Sequence, residues 1–282
     1  MFLLLACIDL GGDDAQPGDT SLGTDADADT DADTDADGDA DSDTDADTDA
    51  DTDSDSDADG DADPELDPPL RGTSGGSGGT DAPNSTALTA GRSEYLLLAP
   101  TGSARGSGVS LLLVISGTEG ADTMMANMRQ VAPYYGLEDA LVAVLDGTTS
   151  DANDGAAVLE SVRDGFDIDN DRTWLLSESA GTTAGLEFAF DVSPTYFAAY
   201  WANDVNARST PSLTTAQLGF EPWGNAGPGG DEADANAIVD GMRTAGWQLP
   251  ADAPYSGAGS DTHGSSQQFL AAVEFFADKK RE

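Results

Sequence analysis

Ser179 stands at the one point of the chain where residue types and spacing together favour nucleophilic chemistry. A short apolar run, Trp174–Leu176, ends in small residues, and Ala, Leu and Phe then recur at helical spacing. This pattern predicts a strand, a sharp turn and a helix, with Ser179 at the apex, which is the layout of a nucleophile elbow. Small neighbours are required because such a turn brings the backbones of strand and helix close together.

A serine hydroxyl needs a base to take its proton, and the sequence offers one histidine, His263. It lies in the small, polar segment Asp261–Gly264, just before the last predicted helix, and a loop of this kind suits a catalytic side chain. It also lies close to the C-terminus, where the chain order serine, acid, histidine would place a general base. The alternative is an ordinary surface histidine.

An acyl-transfer site also needs N–H donors for the developing oxyanion. The backbone N–H of Ala180, directly after the serine, is the first candidate. The second should come from the loop after an early strand, where Thr118 or Gly117 would supply it. The alternative for this loop is a plain glycine-containing turn.

These residues need a scaffold, and the rest of the sequence predicts an α/β fold around a mostly parallel sheet. Val109–Ile115 and Leu141–Leu145 are continuous apolar runs of the kind found in strands buried on both faces. Further strands are predicted at 95–99, 174–176, 196–201 and 218–223, and helices at 121–135, 154–166, 182–190, 233–245 and 265–278. Ligands of such folds bind at the carboxyl ends of the strands, where Ser179 lies.

The chain from Arg92 to Phe276 resembles the α/β-hydrolases, in particular the polyhydroxybutyrate-depolymerase and feruloyl-esterase-like group. The resemblance rests on the segments 95–100, 113–120, 167–172 and 177–181, and on His263 before a terminal helix. It implies an α/β-hydrolase fold acting as a carboxylic-ester hydrolase without a cofactor. The short folded region leaves little room for a lid domain.

Three positions depart from the pattern of that group. Ser177 replaces the first glycine of Gly-x-Ser-x-Gly, Ser116 replaces a histidine before Gly117, and Gly227 stands where the group has its acid. Three carboxylates therefore compete for the role of triad acid. Asp231 is preferred, because a glycine-rich loop follows Gly227 and would bring it to His263; the other candidates are Asp204 and Glu221.

The N-terminal part has a different composition. From Asp25 to Asp63 every odd position is aspartate, and these 20 aspartates supply nearly half of the net charge of −43. Strong self-repulsion and the lack of large apolar residues predict a disordered spacer. Two stretches resemble the start of a calcium-binding EF-hand loop, but Thr44 and Leu66 occupy the position of the required glutamate, so no metal site is predicted. The acidic charge argues against nucleic-acid or anionic-membrane partners.

The domain organisation predicted is a signal-like segment at 1–7, a linker at 8–87 and a hydrolase domain at 88–282. Cys7, the only cysteine, ends a stretch resembling a bacterial lipobox. The usual basic region is missing, which suggests that the true start lies upstream. A lipidated Cys7 would tether the domain to the cell envelope through the acidic spacer; the alternative is a chance cysteine.

These features are compatible with three alternative hypotheses about the function. The leading hypothesis is a monomeric, surface-tethered serine esterase acting on a small-molecule or polymeric ester, with the membrane contacted only through the lipid anchor. The second is a pseudoenzyme that uses the same fold as a binding module. The third is a structural surface lipoprotein whose acidic tract holds cations.

Overall fold

A computed structural model describes residues 69, 71–78, 87–99, 108–132 and 135–282. All of them belong to one compact unit of the chain. Cys7 and the acidic tract Asp25–Asp63 lie outside the described residues, as do most of the linker and both EF-hand-like stretches. Within the described residues, no helix is both long and apolar enough to cross a lipid bilayer.

Seven strands form one mixed sheet in the order β1-β2-β4-β3-β5-β6-β7. Strands β1 and β2 are antiparallel to each other, and β2 is antiparallel to β4, while every other neighbouring pair is parallel. The bounds are β1 Ala87–Ala90, β2 Ser93–Leu98, β3 Val109–Ile115, β4 Leu141–Leu145, β5 Ile168–Glu178, β6 Ala199–Asn203 and β7 Trp223–Ala226. The carboxyl ends of β3 to β7 therefore lie at one edge of the sheet.

Helices cover both faces of this sheet and enclose two apolar cores. They are α1 Gly120–Val131, α2 Ala152–Gly165, α3 Thr182–Glu187, α4 Thr215–Leu218, α5 Glu232–Ala245 and α6 Ser266–Phe276. One core contains side chains of α2, α3 and α5, and the other contains side chains of α1 and α6. Alternate residues of β3 enter opposite cores, which explains why this strand is apolar at nearly every position.

The predicted mostly parallel α/β architecture is confirmed, and β3 and β4 have the predicted bounds. The strand predicted at 218–223 is wrong, because this stretch contains the end of the short helix α4 and only the first residue of β7. Helix α4 begins with a capping box between Thr214 and Gln217 and ends at Gly219, whose φ of 75° is left-handed. These local signals outweigh the aromatic residues that suggested a strand.

Segment 71–78, which the sequence analysis assigned to the linker, packs on the domain. Thr73 forms an antiparallel bridge with Asp169 at the start of β5. The Ser74 amide donates to the Ile168 carbonyl over 2.8 Å, and the Ser77 amide donates to the Asp164 carbonyl over 2.9 Å. This segment thus contacts the domain at the end of β5 opposite to Ser179.

Candidate active site

Ser179 lies on a sharp turn at the carboxyl end of a central strand. Strand β5 ends at Glu178, and a single tight turn, Ser179–Gly181, leads directly into α3. Ser179 has a φ of 47°, which is unusual for a residue with a side chain. Such strain is maintained only where the surroundings enforce it, and here it presents the hydroxyl at the edge of the sheet.

The elbow is possible because glycines stand where strand and helix meet. A Cβ on Gly181 would lie 2.5 Å from the Ser116 carbonyl oxygen, and one on Gly185 would lie 2.3 Å from Cβ of Ser177. Ser177, which replaces the usual glycine, is therefore accommodated against Gly185. Its hydroxyl is buried and forms a 2.7 Å hydrogen bond with the Tyr200 hydroxyl.

The structure brings Ser179 and His263 together although they are far apart in sequence. Ser179 Oγ lies 2.7 Å from His263 Nε2, and His263 Nδ1 lies 3.0 Å from the Gly229 carbonyl oxygen. A carbonyl can only accept, so Nδ1 carries the proton and Nε2 presents its lone pair to the hydroxyl. This is the tautomer that a general base for Ser179 requires.

Asp204 accepts a hydrogen bond from the loop that carries His263. It follows β6, has a φ of 47° and is buried. Its Oδ2 accepts a 2.6 Å hydrogen bond from the amide of Gly264, next to His263, and its Oδ1 accepts from Gln268 Nε2. Burial raises the pKa of Asp204, while the Gly264 amide and the charge of His263 oppose this shift.

The other two candidate acids have different surroundings. Asp231 is exposed and caps helix α5, where its Oδ1 accepts from the Asp234 amide. The predicted role of Asp231, orienting the imidazole, is taken in this arrangement by the Gly229 carbonyl. Glu221 is also exposed, and its backbone carbonyl accepts from Gln248 Nε2.

The space beside Gly227, where a carboxylate would be expected from the resemblance, is filled by Gln268. A Cβ on Gly227 would lie 1.9 Å from Gln268 Oε1. The buried Gln268 side chain turns its amide nitrogen to Asp204, and its Oε1 has no hydrogen-bond partner within the part of the chain that the structure describes. Gly227, Gln268 and Asp204 thus form one complementary arrangement beneath His263.

The predicted oxyanion donors lie on both sides of Ser179. Ala180 lies in the first turn of the helical segment that begins at Ser179, where N–H groups have no carbonyl partner within the helix. Gly117 is buried at the end of β3, and a Cβ built on it would lie 3.0 Å from Cβ of Ser179. Its N–H donates to Glu119 Oε1 over 2.9 Å, whereas Thr118 is exposed.

Several carboxyl groups lie close to one another near Ser179. Burial, together with the charges of Asp204 and Glu119, raises the pKa of Glu178 to about 8. Glu178 Oε2 accepts from Asn203 Nδ2 over 3.3 Å. Glu178 is therefore mostly protonated at neutral pH, which limits the negative charge beside Ser179.

Sequence reasoning missed three groups of this site: the Gly229 carbonyl, Gln268 and the Glu119 side chain. A backbone carbonyl has no sequence signal, because every residue carries one. Gln268 lies on a helix face that pattern alone assigns to the core. Glu119 was visible within the predicted oxyanion loop, and its proximity to the Gly117 amide depends on loop geometry. Among the described residues, no three metal-ligating side chains form a cluster.

Comparison with solved structures identifies the fold. A thermostable esterase superposes with a TM-score of 0.52 at 15% identity, over 70% of this chain and 64% of that protein. This chain thus spans less than two thirds of that esterase. The fluorophosphonate-binding serine hydrolase F of Staphylococcus aureus gives a TM-score of 0.48 at 12% identity, over 69% of this chain and 98% of the other. The ferulic acid esterase of Anaeromyces mucronatus gives a TM-score of 0.47 at 10% identity, over 71% of this chain and 92% of the other.

No protein-family model and no curated protein sequence matches the chain. The sheet order, the flanking helices and the esterase-like superposition together establish the α/β-hydrolase fold.

Proposed function

We propose that this protein, an α/β-hydrolase by fold, is a carboxylic-ester hydrolase with Ser179 as nucleophile and His263 as general base. The observation that carries the proposal is the 2.7 Å contact between Ser179 Oγ and His263 Nε2 at the strained elbow. The protonated Nδ1, held by the Gly229 carbonyl, leaves Nε2 free to accept the serine proton.

In the proposed first half-reaction, Ser179 Oγ attacks the carbonyl carbon of the ester while its proton moves to His263 Nε2. The Ala180 and Gly117 amides stabilise the negative oxygen of the tetrahedral intermediate. The bond to the alcohol then breaks, and the leaving oxygen takes the proton from Nε2. An acyl group remains on Oγ.

In the second half-reaction, water attacks the acyl carbon and gives a proton to Nε2. The bond between the acyl carbon and Oγ breaks, and Ser179 regains its proton from the imidazolium. The buried Asp204 carboxylate, connected to the histidine loop through the Gly264 amide, favours the positively charged ring. We assign it the electrostatic part of the role predicted for Asp231, while the Gly229 carbonyl orients the ring.

The first test is hydrolysis of p-nitrophenyl acetate and butyrate by residues 69–282, beside Ser179→Ala and His263→Ala. We expect both variants to lose at least about a thousandfold in kcat/KM, because members of a nucleophile–base pair act as a unit. Labelling by a fluorophosphonate probe should disappear in Ser179→Ala. Labelling that survives this change would exclude Ser179 as the nucleophile.

A second candidate function is a ligand-binding protein with a catalytically impaired site. Two observations favour it: His263 Nδ1 contacts a neutral carbonyl, and the Gly117 amide contacts a carboxylate. The same assay decides between the two functions. Hydrolysis no faster than that of folded Ser179→Ala protein, on a panel of acyl and aryl esters, would favour the binding role.

We further propose that the domain is tethered at the cell envelope through a lipid on Cys7, with the acidic tract as spacer. Support comes from the sequence alone: the lipobox-like Leu4–Cys7 and the alternating aspartates that follow. Metabolic labelling with a palmitate analogue that is absent from Cys7→Ala cells would support the tether, and absence of label from both would refute it.

A further inference from the structure

The Glu119 carboxylate occupies the backbone donor on which the proposed reaction depends. Gly117 N–H points at Glu119 Oε1 over 2.9 Å. A Cβ built on Gly117 would lie 2.5 Å from Glu119 Oε2 and 3.0 Å from Cβ of Ser179. The carboxylate and the nucleophile therefore lie on the same side of Gly117.

An oxyanion donor acts by meeting a negative oxygen that develops during the reaction. In the resting protein Glu119 already supplies such an oxygen, from a side chain only two residues away. A hydrogen bond from an amide to a carboxylate is roughly twice as strong as one between neutral groups. The neutral carbonyl of an ester is thus the weaker ligand for this amide and must displace the carboxylate.

Glu119 is free to leave, because it is only partly buried. It precedes the first residue of α1, and none of the salt bridges among the described residues includes it. Rotation of its side chain would expose the Gly117 N–H without movement of the buried end of β3.

We propose that Glu119 closes the oxyanion hole of the resting protein and that each turnover requires its displacement by substrate. The inference rests on the proposed function, since it concerns the same nucleophile. Glu119 then limits the rate with ordinary esters and disfavours substrates that carry an anion beside the reacting carbonyl.

The experiment compares the wild-type full-length protein with its Glu119→Ala, Glu119→Asp and Glu119→Gln variants. Two rates are measured: kcat/KM for p-nitrophenyl acetate and the second-order rate of fluorophosphonate labelling at Ser179. Asp122→Asn serves as the matched control, because it removes an exposed carboxylate from the first turn of the same helix. Circular dichroism melting checks that every variant is folded.

We expect Glu119→Ala to raise both rates roughly tenfold, because the amide no longer has a charged competitor. Glu119→Asp keeps the charge, but its side chain is one methylene too short to reach the Gly117 amide. Both rates should therefore rise nearly as much as in Glu119→Ala. Glu119→Gln keeps a weaker, neutral acceptor for the amide, so both rates should rise less than in Glu119→Ala. Asp122→Asn should stay at the wild-type rates.

Unchanged or reduced rates in folded Glu119→Ala, with normal labelling of the wild type, would overturn the inference and leave the proposed function intact. Equal gains in Glu119→Ala and Glu119→Gln without a gain in Glu119→Asp would also overturn it, since charge alone would then be responsible. If neither the wild type nor any Glu119 variant is labelled, the proposed function and this inference both fail.

Discussion

At the scale of single residues, the proposed reaction divides the usual task of a triad acid between two groups. The Gly229 carbonyl fixes the orientation and tautomer of His263, and the Asp204 carboxylate supplies negative charge from beneath the loop. A neutral carbonyl orients the ring but stabilises an imidazolium less than a carboxylate does. Asp204 should therefore influence the rate more than the position of the ring.

This division predicts the behaviour of Asp204→Asn. The asparagine carbonyl can still accept from the Gly264 amide, and Gln268 can turn its free Oε1 toward the new amide group. We expect kcat to fall roughly tenfold to a hundredfold, well below the ~10⁴-fold loss seen when a carboxylate bonded directly to the ring is replaced. Steady-state kinetics measures the loss.

The thermal stability of Asp204→Asn should not fall together with its activity. Because burial raises the pKa of Asp204 in the folded protein, the unfolded chain releases this proton at lower pH, and ionisation of Asp204 costs stability as pH rises above about 4. Asp204→Asn removes that cost, so its melting temperature at pH 7 should equal or exceed that of the wild type. A large loss of melting temperature would show that the carboxylate mainly holds the fold together.

Sequence reasoning singled out Ser179 and His263, whose side chains lie 2.7 Å apart in the structure, because each has a strong local signal. Ser179 stands between a strand pattern and a helix pattern, and His263 is the only histidine. The group that orients His263 escaped prediction because it belongs to the backbone of Gly229. The exposed Asp231 resembled a triad acid in position, but its place directly before α5 favours a helix cap.

At the scale of elements, the elbow depends on how closely α3 approaches β5. Gly185 packs directly on Ser177, and a Cβ on Gly185 would lie 2.5 Å from the buried Ser177 hydroxyl. The helix that positions Ser179 therefore requires a small residue at 185. In this chain the contact is formed by a serine on β5, Ser177, and a glycine on α3, Gly185.

Gly185→Ala is expected to destabilise the domain by roughly 1–3 kcal/mol, the usual cost of overpacking a core, and to lower kcat by displacing the elbow. Thermal melting and p-nitrophenyl acetate hydrolysis measure both effects. Gly165→Ala is the matched control, because a Cβ there meets no atom within 4 Å. Removing the opposing side chain in Ser177→Gly/Gly185→Ala should restore part of both losses.

The coupling between the two positions decides the interpretation. If the double variant is as unstable as the sum of the single variants, Ser177 and Gly185 do not share the contact described above. If Gly165→Ala is as harmful as Gly185→Ala, the cost arises from helix glycines in general and not from the elbow.

The elements themselves were predictable to different degrees. Strands β3 and β4 were found with their bounds because burial on both faces leaves an unbroken apolar run. Strand β1, with the sequence Ala-Leu-Thr-Ala, is short, lies at the edge of the sheet and is mostly exposed or half-buried, so no pattern marks it. Strand β7 contains glycine and asparagine and owes its conformation to pairing with β6.

At the scale of the whole molecule, composition predicted the acidic N-terminal part and a single α/β domain, but it placed the domain start too close to β1. Residues 71–78 are rich in glycine and serine, which is typical of a linker. Their contacts combine backbone groups of Gly72, Ser74 and Ser77 with the hydroxyls of Ser74 and Ser77, all bonded to residues 163–170. Such contacts leave almost no trace in composition.

This segment should contribute to stability without affecting the site. We expect the fragment 69–282 to melt roughly 5–10 °C above the fragment 88–282, because several backbone hydrogen bonds, each worth about 1 kcal/mol, are lost in the shorter one. Values of kcat/KM should agree within about twofold, since the segment contacts the start of β5, far along the strand from Ser179. Differential scanning calorimetry and ester hydrolysis provide the comparison.

A point variant separates docking of the segment from mere chain length. A Cβ on Gly76 would lie 2.1 Å from the Arg163 carbonyl oxygen, so Gly76→Ala in the fragment 69–282 should detach the segment and reproduce most of the loss. Equal melting temperatures for all three proteins would mean that the hydrogen bonds at Ile168 and Asp164 add nothing to the stability of the domain. A fall in kcat/KM with unchanged melting would instead connect this segment to the active site through β5.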